Sequence, residues 1–429
     1  MRKASLVFIL AVVVIDMLGI GLVYPLVPRL IEGFLGGDMA QTSYVYGFLV
    51  AIYAAMQFIF APVLGSLSDR YGRRPVILIA LVGLAVDYLV LAFAPNLWWF
   101  IPARIISGIC GATFTTAGAY MADVTPPEKR AQNFGLIGAA FGFGFIIGPA
   151  IGGFLGDMDV RLPFLVAAGL TFVNMLFGIF VLPESLKPEN RRKFSLKQAN
   201  PVGALIAITR HHHAIITLLM IVALASLAVA VGQVTWVLYT TYRYGWGPFE
   251  TGLSLMAVGV VFIVGQGVMT RVVVKRLGER RTAFLGLTVA PIAYVLYGLA
   301  YEGWMIYVIM LLGLIGWTVA GPAVQAMISR AVPANEQGLL QGAMGSINSL
   351  AGIVGPPLWN GLFGYFVSPA APFILPGAAF FGAAIVMLMA LALALKKLGP
   401  ELEAKRPKAP ETPVPALETE TVPVPPEVV

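Results

Sequence analysis

GSLSDRYGRRP, from Gly65 to Pro75, is a short charged break between two long apolar runs. VKRLGERRT, from Val274 to Thr282, echoes it in the second half of the chain, with Gly72 and Gly278 standing 206 residues apart. IIGPAIGG, which carries Gly148 and Pro149, and GIVGPPLWNG, which carries Gly355 and Pro356, repeat at an offset of 207. Two independent landmarks at nearly one offset imply a unit of six apolar runs copied once. Parallel halves of this kind place a substrate between them near the bilayer midplane.

Working outward, apolar runs fill most of the chain. Charged residues are 11% and the hydrophobic set 59% of 429 residues, against roughly 25% charged in a soluble domain. Such a chain cannot cover itself with a wetted surface, so its solvent is lipid, where a crossing needs about 20 apolar residues. Twelve runs are legible, near 5–28, 42–66, 75–94, 97–122, 132–155, 162–183, 214–241, 250–274, 283–301, 304–328, 338–366 and 372–395. The first is long and leads straight into more, so it reads as a span and not a secretory signal. The predicted fold class is an all-α membrane protein of twelve transmembrane helices in two six-helix bundles, 1–183 and 214–398. A polar cytoplasmic linker loop, 184–213, joins them, and a Pro- and Glu-rich tail, 399–429, reads as disordered.

The net charge of +7 does not point to nucleic acid, because the basic residues fall in short clusters between alternate runs. Arg2, Lys3, Arg70, Arg73, Arg74, Lys129, Arg130, Lys187, Arg191, Arg192, Lys193, Lys197, Lys275, Arg276, Arg280 and Arg281 share one side, whereas the other offers mainly Arg29, Arg161 and Arg243. That asymmetry puts both termini in the cytoplasm. Cys110, the single cysteine, excludes a disulfide framework. His211 to His213 read as either a metal-binding tract or a solvated loop end, and the second reading is preferred. With no GxxxxGK[ST] run and no histidine inside a span, the chain is expected to be no enzyme, with no cofactor, metal or catalytic residue.

An ionised Asp at mid-helix costs roughly 2.5–3.5 kcal/mol on insertion scales, so Asp16 in the first run and Asp87 in the third are proton-carrier or substrate-contact candidates. A satisfied structural carboxylate is the alternative. Arg104, near the start of the fourth run, either snorkels to the interface or holds a partner carboxylate ionised. Gly148, Pro149, Gly152 and Gly153 allow close helix approach, and the proline permits a bend. Gln57, Gln233, Gln266 and Gln325 can hydrogen-bond a ligand or a neighbouring helix. Phe262 and Trp236, with Tyr53, Phe141 and Trp317, either line an apolar cavity or face lipid.

These stretches resemble the major facilitator superfamily, and within it the drug–proton antiporters. GSLSDRYGRRP is similar to the signature after the second helix, and GPAIGG to the antiporters' glycine-proline motif. IDMLGIGLVYPLVP, VDYLVLAFAPNLW, ARIISGICGAT and AFGFGFIIGPAIGG resemble the tetracycline-efflux (TetA-like) branch. The resemblance implies a proton-coupled antiporter of the bacterial inner membrane that exports drug-like amphiphiles, tetracycline among them. Its partners would be a small-molecule substrate, protons and lipid, with a monomeric chain. A metabolite or sugar transporter on the same fold, or a non-transporting receptor, is the alternative. The resemblance further implies proton coupling through Asp16, Asp87 and Arg104. It implies a conformational latch of Gly65, Asp69, Arg70, Gly72, Arg73, Arg74 and Asp123. It gives the span-five motif a role in limiting leak, and matches the four glutamines to the branch's own positions. Two departures stand out: Phe262 replaces a histidine common in that branch and Ala290 an aspartate, groups associated there with tetracycline–metal export. Positions near 207 residues beyond Asp16, Asp87 and Arg104 are the uncharged Ala223, Tyr294 and Leu311. The first half is therefore expected to handle protons and the second to shape the cavity.

Overall fold

The structure is a computed structural model that describes residues 2–111, 113–126, 129–191, 203–211, 215–333 and 336–397. Arg192, Lys193, Lys197, His212, His213 and the tail from 399 lie outside the described residues, as do the side chains of His211 and Phe141.

Helix ends fall where the chain supplies caps or glycines. α1 (Arg2–Val23) and α2 (Val27–Phe34) form the first crossing, which runs past the predicted end at 28. α3 (Met39–Tyr71) starts at Asp38, whose carboxylate accepts from the Gln41 N–H at 2.9 Å. It ends at Gly72, whose φ of +110° lets α4 (Arg73–Phe93) begin at the very next residue. α5 (Phe100–Cys110) and α6 (Thr113–Val124) share the fourth crossing, followed by α7 (Arg130–Met158) and α8 (Leu162–Phe180).

The second half repeats this with more breaks. α10 (Ile216–Val234) and α11 (Trp236–Tyr244) form the seventh crossing and follow α9 (Gly203–His211). α12 (Pro248–Val264) passes through a π-helical turn, Gly265–Met269, into α13 (Thr270–Leu299). α14 (Gly303–Gly313), α15 (Trp317–Arg330), α16 (Gln337–Val367) and α17 (Ala378–Lys397) complete the fold.

Among the described residues, ten helical stretches are long and apolar enough to cross a membrane. One of them, Pro248–Leu299, runs 52 residues, more than two crossings' worth at about 20 each. It breaks at Gly278, where φ is +75°, the counterpart of Gly72. α16 is the remaining crossing: its Gln, Ser and Asn residues dilute its hydropathy, yet it packs along α3 and α10. Each of the twelve predicted runs thus holds helix, the last beginning at Ala378 and not at 372. α9 departs from the expected linker loop, because Ile208 is fully buried and the helix packs on α16.

The outside is as apolar as the inside. Ile79, Phe93, Phe172, Phe180, Ile385 and Leu395 are all more than half exposed. Large apolar side chains exposed along the spans in this way fit lipid and not water. Inside, α7 lies between α1 and α12, and α3 lies against α16, so these are the seams where first and second halves meet.

Candidate functional site

The centre of the first half holds an ion pair. Asp87 on α4 has 1% of its side chain exposed, and Arg104 on α5 donates from Nη2 to its Oδ2 at 3.1 Å and Oδ1 at 3.3 Å. Arg104 Nε is buried without a hydrogen-bond partner among the described residues. The arginine therefore points inward to a carboxylate and does not snorkel. Attraction between such charges offsets the cost of taking both out of water only when their geometry is good.

Asp16 on α1 is 6% exposed, and its Oδ1 is buried with no hydrogen-bond partner among the described residues. Tyr53 on α3 and Tyr88 on α4 each lie within electrostatic reach of Asp16, Asp87 and Arg104. One side chain from each of α1, α4 and α5 is thus gathered around two phenols.

Gln57, one turn after Tyr53, donates from Nε2 to the Gly111 carbonyl at 3.2 Å. It satisfies the break between α5 and α6, so this amide serves a neighbouring helix. Gln233, Gln266 and Gln325 are exposed, and Phe262 is 47% exposed. Gln266 sits in the π-helical turn, on the side of α12 whose Gly259 and Ile263 touch Ile146 and Gly142 of α7. Trp236 corrects the expectation of a cavity-lining indole. It is 3% exposed, donates from Nε1 to Ser254 Oγ at 3.0 Å, and stacks edge-on against Tyr297 and Phe380. Ala290 is buried against Gly316, where a Cβ on the glycine would stand 3.6 Å from the Ala290 Cα.

The loop between α3 and α4 is tied together inside the first half. Arg73 contacts Asp69 at 2.5 Å, Asp123 of α6 at 3.2 Å and Ser68 Oγ at 2.6 Å. Arg74 donates to the carbonyls of Gly178 and Ile179 at the end of α8. Arg70 instead lies over the ring of its neighbour Tyr71, 5.0 Å from the centroid. Glu184, which the sequence reading passed over, accepts from the first two N–H groups of α4, Arg73 at 2.9 Å and Arg74 at 3.2 Å. A carboxylate there complements the helix dipole. The residue lies against Gly72, where a side chain would collide with it. Gly65 has nothing within 4 Å of a would-be Cβ, so no close approach demands that glycine.

The second half carries the same tie with reversed polarity. Glu279 pairs with Arg330 at 2.6 Å, at the positions 206 and 207 residues beyond Arg73 and Asp123. Base-to-acid in the first copy is acid-to-base in the second. With Asp69→Asn, Arg73 keeps Asp123, so the chain should fold normally. The lost pair is partly exposed and worth about 1 kcal/mol, so the thermal midpoint in detergent should fall by only a few degrees.

Contacts between the halves gather toward the opposite end of the helices. Arg29 of α2 reaches across to Thr241 Oγ1 at 3.0 Å and to the carbonyl of Trp246. Ser43 Oγ donates to the Asn360 carbonyl at 2.6 Å. A Cβ at Gly47 would meet the Pro356 carbonyl at 2.8 Å, and one at Gly153 the Phe249 Cα at 3.1 Å. The halves are drawn together at the Arg29 end.

α7 makes the span-five glycines intelligible. A Cβ at Gly144 would stand 2.5 Å from Met17 Cβ, one at Gly148 2.7 Å from Gly21 Cα, and one at Gly152 2.8 Å from Leu22 Cα. One face of α7 is pressed onto the backbone of α1. The other, through Pro149 O and Gly153, meets Gly252 and Phe249 of α12.

Comparison with known proteins agrees with this arrangement. Residues 9–356 match the sequence profile of the Major Facilitator Superfamily. The chain is 40% identical over 369 residues to the class C tetracycline resistance protein of Escherichia coli, covering 83% of this chain and 92% of that one. It is 38% identical to the class G tetracycline resistance protein of Vibrio anguillarum, covering 84% and 91%. Among solved structures, a bacterial homologue of the human lysosomal transporter Spinster, inward-facing and occupied, superposes with a TM-score of 0.76 at 14% identity, covering 95% and 99%. The human organic anion transporter MFSD10 (TETRAN) superposes at 0.66 and 22% identity, covering 92% and 99%. At these identities the structural matches speak for the fold alone.

Proposed function

The chain belongs to the Major Facilitator Superfamily, and from that premise we propose that Asp16, Asp87 and Arg104 carry the proton side of a drug–proton antiport in which both six-helix bundles rock about a central site. It is a multi-pass membrane transporter and not an enzyme. The observation that carries the reading is the buried Asp87–Arg104 pair, which shares Tyr53 and Tyr88 with a second buried carboxyl, Asp16, whose Oδ1 has no hydrogen-bond partner among the described residues. Lipid-embedded acids with no structural tie are expensive, and a proton is the partner that removes the expense.

Residues 184–213 join the two bundles along the chain, and both termini and the Arg73 end lie in the cytoplasm, as the basic loops indicate. The seam contacts near Arg29 then correspond to an outer side that is shut, with the cytoplasmic side apart. A drug-like amphiphile enters from the cytoplasm between the halves, near the exposed Gln266, Gln233, Gln325 and Phe262. A proton arriving from outside at Asp16 or Asp87 neutralises a charge and shifts the balance between the two shapes. Each charge moved is driven by about 2.3 kcal/mol per 100 mV. The latch of Asp69, Arg70, Arg73, Arg74 and Asp123, around Gly72 and with Gly65 preceding it, biases the same equilibrium. The protein acts as a monomer and has no nucleic-acid partner.

Tetracyclines are the first substrates to test, because several relatives at 35–40% identity bear the name tetracycline resistance protein. Phe262 and Ala290 bring an aromatic ring and a methyl group where metal-chelate chemistry would want ligands. The substrate is therefore recognised by its apolar and hydrogen-bonding faces.

A drug-sensitised bacterium expressing the chain should tolerate several-fold more tetracycline than the empty-vector strain, and the Asp16→Asn strain should lose that margin. Equal tolerance in the parent and Asp16→Asn strains would refute the proton-carrier role. No protection against tetracycline or any other amphiphile would refute export.

A further inference from the structure

α1 and α8 pack side by side in a register that can be read residue by residue. Phe8 meets Phe177 edge-on, with ring centroids 6.0 Å apart. Asn174 Nδ2 donates to the Val12 carbonyl at 2.9 Å. A Cβ at Gly19 would stand 3.5 Å from Thr171 Oγ1 and 3.7 Å from Tyr88 Oη. Positions 8, 12 and 19 lie on one face of α1, as do 177, 174 and 171 on α8. Asp16, one turn beyond Val12 and one before Gly19, falls on that face between Asn174 and Thr171.

Three polar atoms along this seam are buried with no hydrogen-bond partner among the described residues: Asp16 Oδ1, Asn174 Oδ1 and Thr171 Oγ1. Asn174 and Thr171 are fully buried residues. Buried polar groups are almost always hydrogen-bonded, and three orphans in one seam are not accidental. Their chemistry is complementary. The Asn174 carbonyl oxygen only accepts, so it needs a donor. The Thr171 hydroxyl donates or accepts. A carboxyl is an acceptor when ionised and gains an O–H donor when protonated.

The geometry points to Thr171 and Asn174 as positioning residues that read the protonation state of Asp16 from the side of α8. The protonated carboxyl donates its O–H to Asn174 Oδ1. The ionised carboxylate accepts from the Thr171 hydroxyl. Proton arrival thereby moves one hydrogen bond along α8, from Thr171 to Asn174, and transmits the event from α1 to its neighbour. The titratable groups within electrostatic reach of Asp16 are Tyr53 of α3 and Tyr88 of α4, and Asp87 of α4 and Arg104 of α5 act on the same two phenols. α6 offers Tyr120, whose phenol is committed to the Pro183 carbonyl. α8 carries no acid or base, and the acids of α6 and α7, Asp123 and Asp157, stand at helix ends.

This rests on the reading of Asp16 as a proton carrier, and one measurement separates the two. Difference infrared spectra of the full chain in lipid nanodiscs, recorded from about pH 4 to 9 without any substrate, should contain a protonated-carboxyl band that Asp16→Asn removes. With Asn174→Leu that band should shift to higher frequency, and its titration midpoint should fall by about half to one pH unit, the equivalent of one neutral hydrogen bond. With Thr171→Val the midpoint should rise by a similar amount, whereas Thr171→Ser should restore the parent curve. If the Asp16 band exists but neither frequency nor midpoint moves in Asn174→Leu and Thr171→Val, the α8 proposal falls and the carrier reading stands. Absence of any Asp16-dependent band overturns both. Thr171→Ser, which removes only a methyl group, keeps the test informative if the leucine variant assembles poorly.

Discussion

Asp87→Asn should cut proton-driven export sharply while the protein still inserts and folds. Asparagine keeps the volume of the side chain and can accept a hydrogen bond from Arg104, but it carries no proton and no charge. Exchange in inside-out vesicles should fall about 100-fold, the scale expected when a coupling step loses roughly 3 kcal/mol of driving interaction. Arg104→Ala is the harsher change for the fold. It strands a 1%-exposed carboxylate with its Arg104 partner gone, and breaking a buried pair from one side costs about 3–5 kcal/mol. The yield of well-behaved protein in detergent should drop. Asp87→Asn combined with Arg104→Gln should recover that yield, because no uncompensated charge is left, without recovering exchange. Full exchange in the Asp87→Asn vesicles would remove the α4–α5 pair from the coupling scheme.

The second large effect concerns assembly. Gly148→Leu drives a side chain into the α1 backbone at Gly21, where even a Cβ has 2.7 Å. A flexible neighbour could swing aside, but a helix backbone cannot, so α1 and α7 must separate along their whole seam. Overpacking of a side-chain core costs about 1–3 kcal/mol, and a backbone obstacle belongs at or above the top of that range. The thermal midpoint in detergent should fall by several degrees or more, and export should vanish with it. Gly65→Leu is the control: nothing lies within 4 Å of that position, so its midpoint should match the parent. Equal midpoints for the two variants would mean that the α1–α7 contact is not held in the membrane.

Much of this was legible in the chain itself. The twelve runs were readable because length and apolarity alone decide a crossing. Gly72 and Gly278 were readable because a charged turn inside an apolar sequence demands backbone freedom. Asp16, Asp87 and Arg104 stood out because charge is rare amid hydrocarbon. What escaped depended on partners far away in sequence. Glu184 follows a proline at the end of a run and looks like any loop acid, yet it caps a helix 111 residues upstream. Arg29 looks like an interfacial anchor, yet its partner Thr241 is 212 residues on. Trp236 shows the limit of composition: an indole in an apolar run reads the same whether it faces a cavity or holds α11 to α12. α9 was too short to register beside its polar flanks. Thr171 and Asn174 were visible as polar residues in a greasy run, but only the register of α1 against α8 gives them a task.

Arg29 closes one end of the molecule by gripping a peptide oxygen, that of Trp246, as well as a hydroxyl. Every amino acid brings such an oxygen, so mutation at position 246 cannot erase the anchorage. The clasp is therefore asymmetric in its fragility: drift at position 246 is forgiven, whereas loss of the one guanidinium removes both bonds at once and leaves Ser43 and the close-packed Gly47 and Gly153 to hold that end.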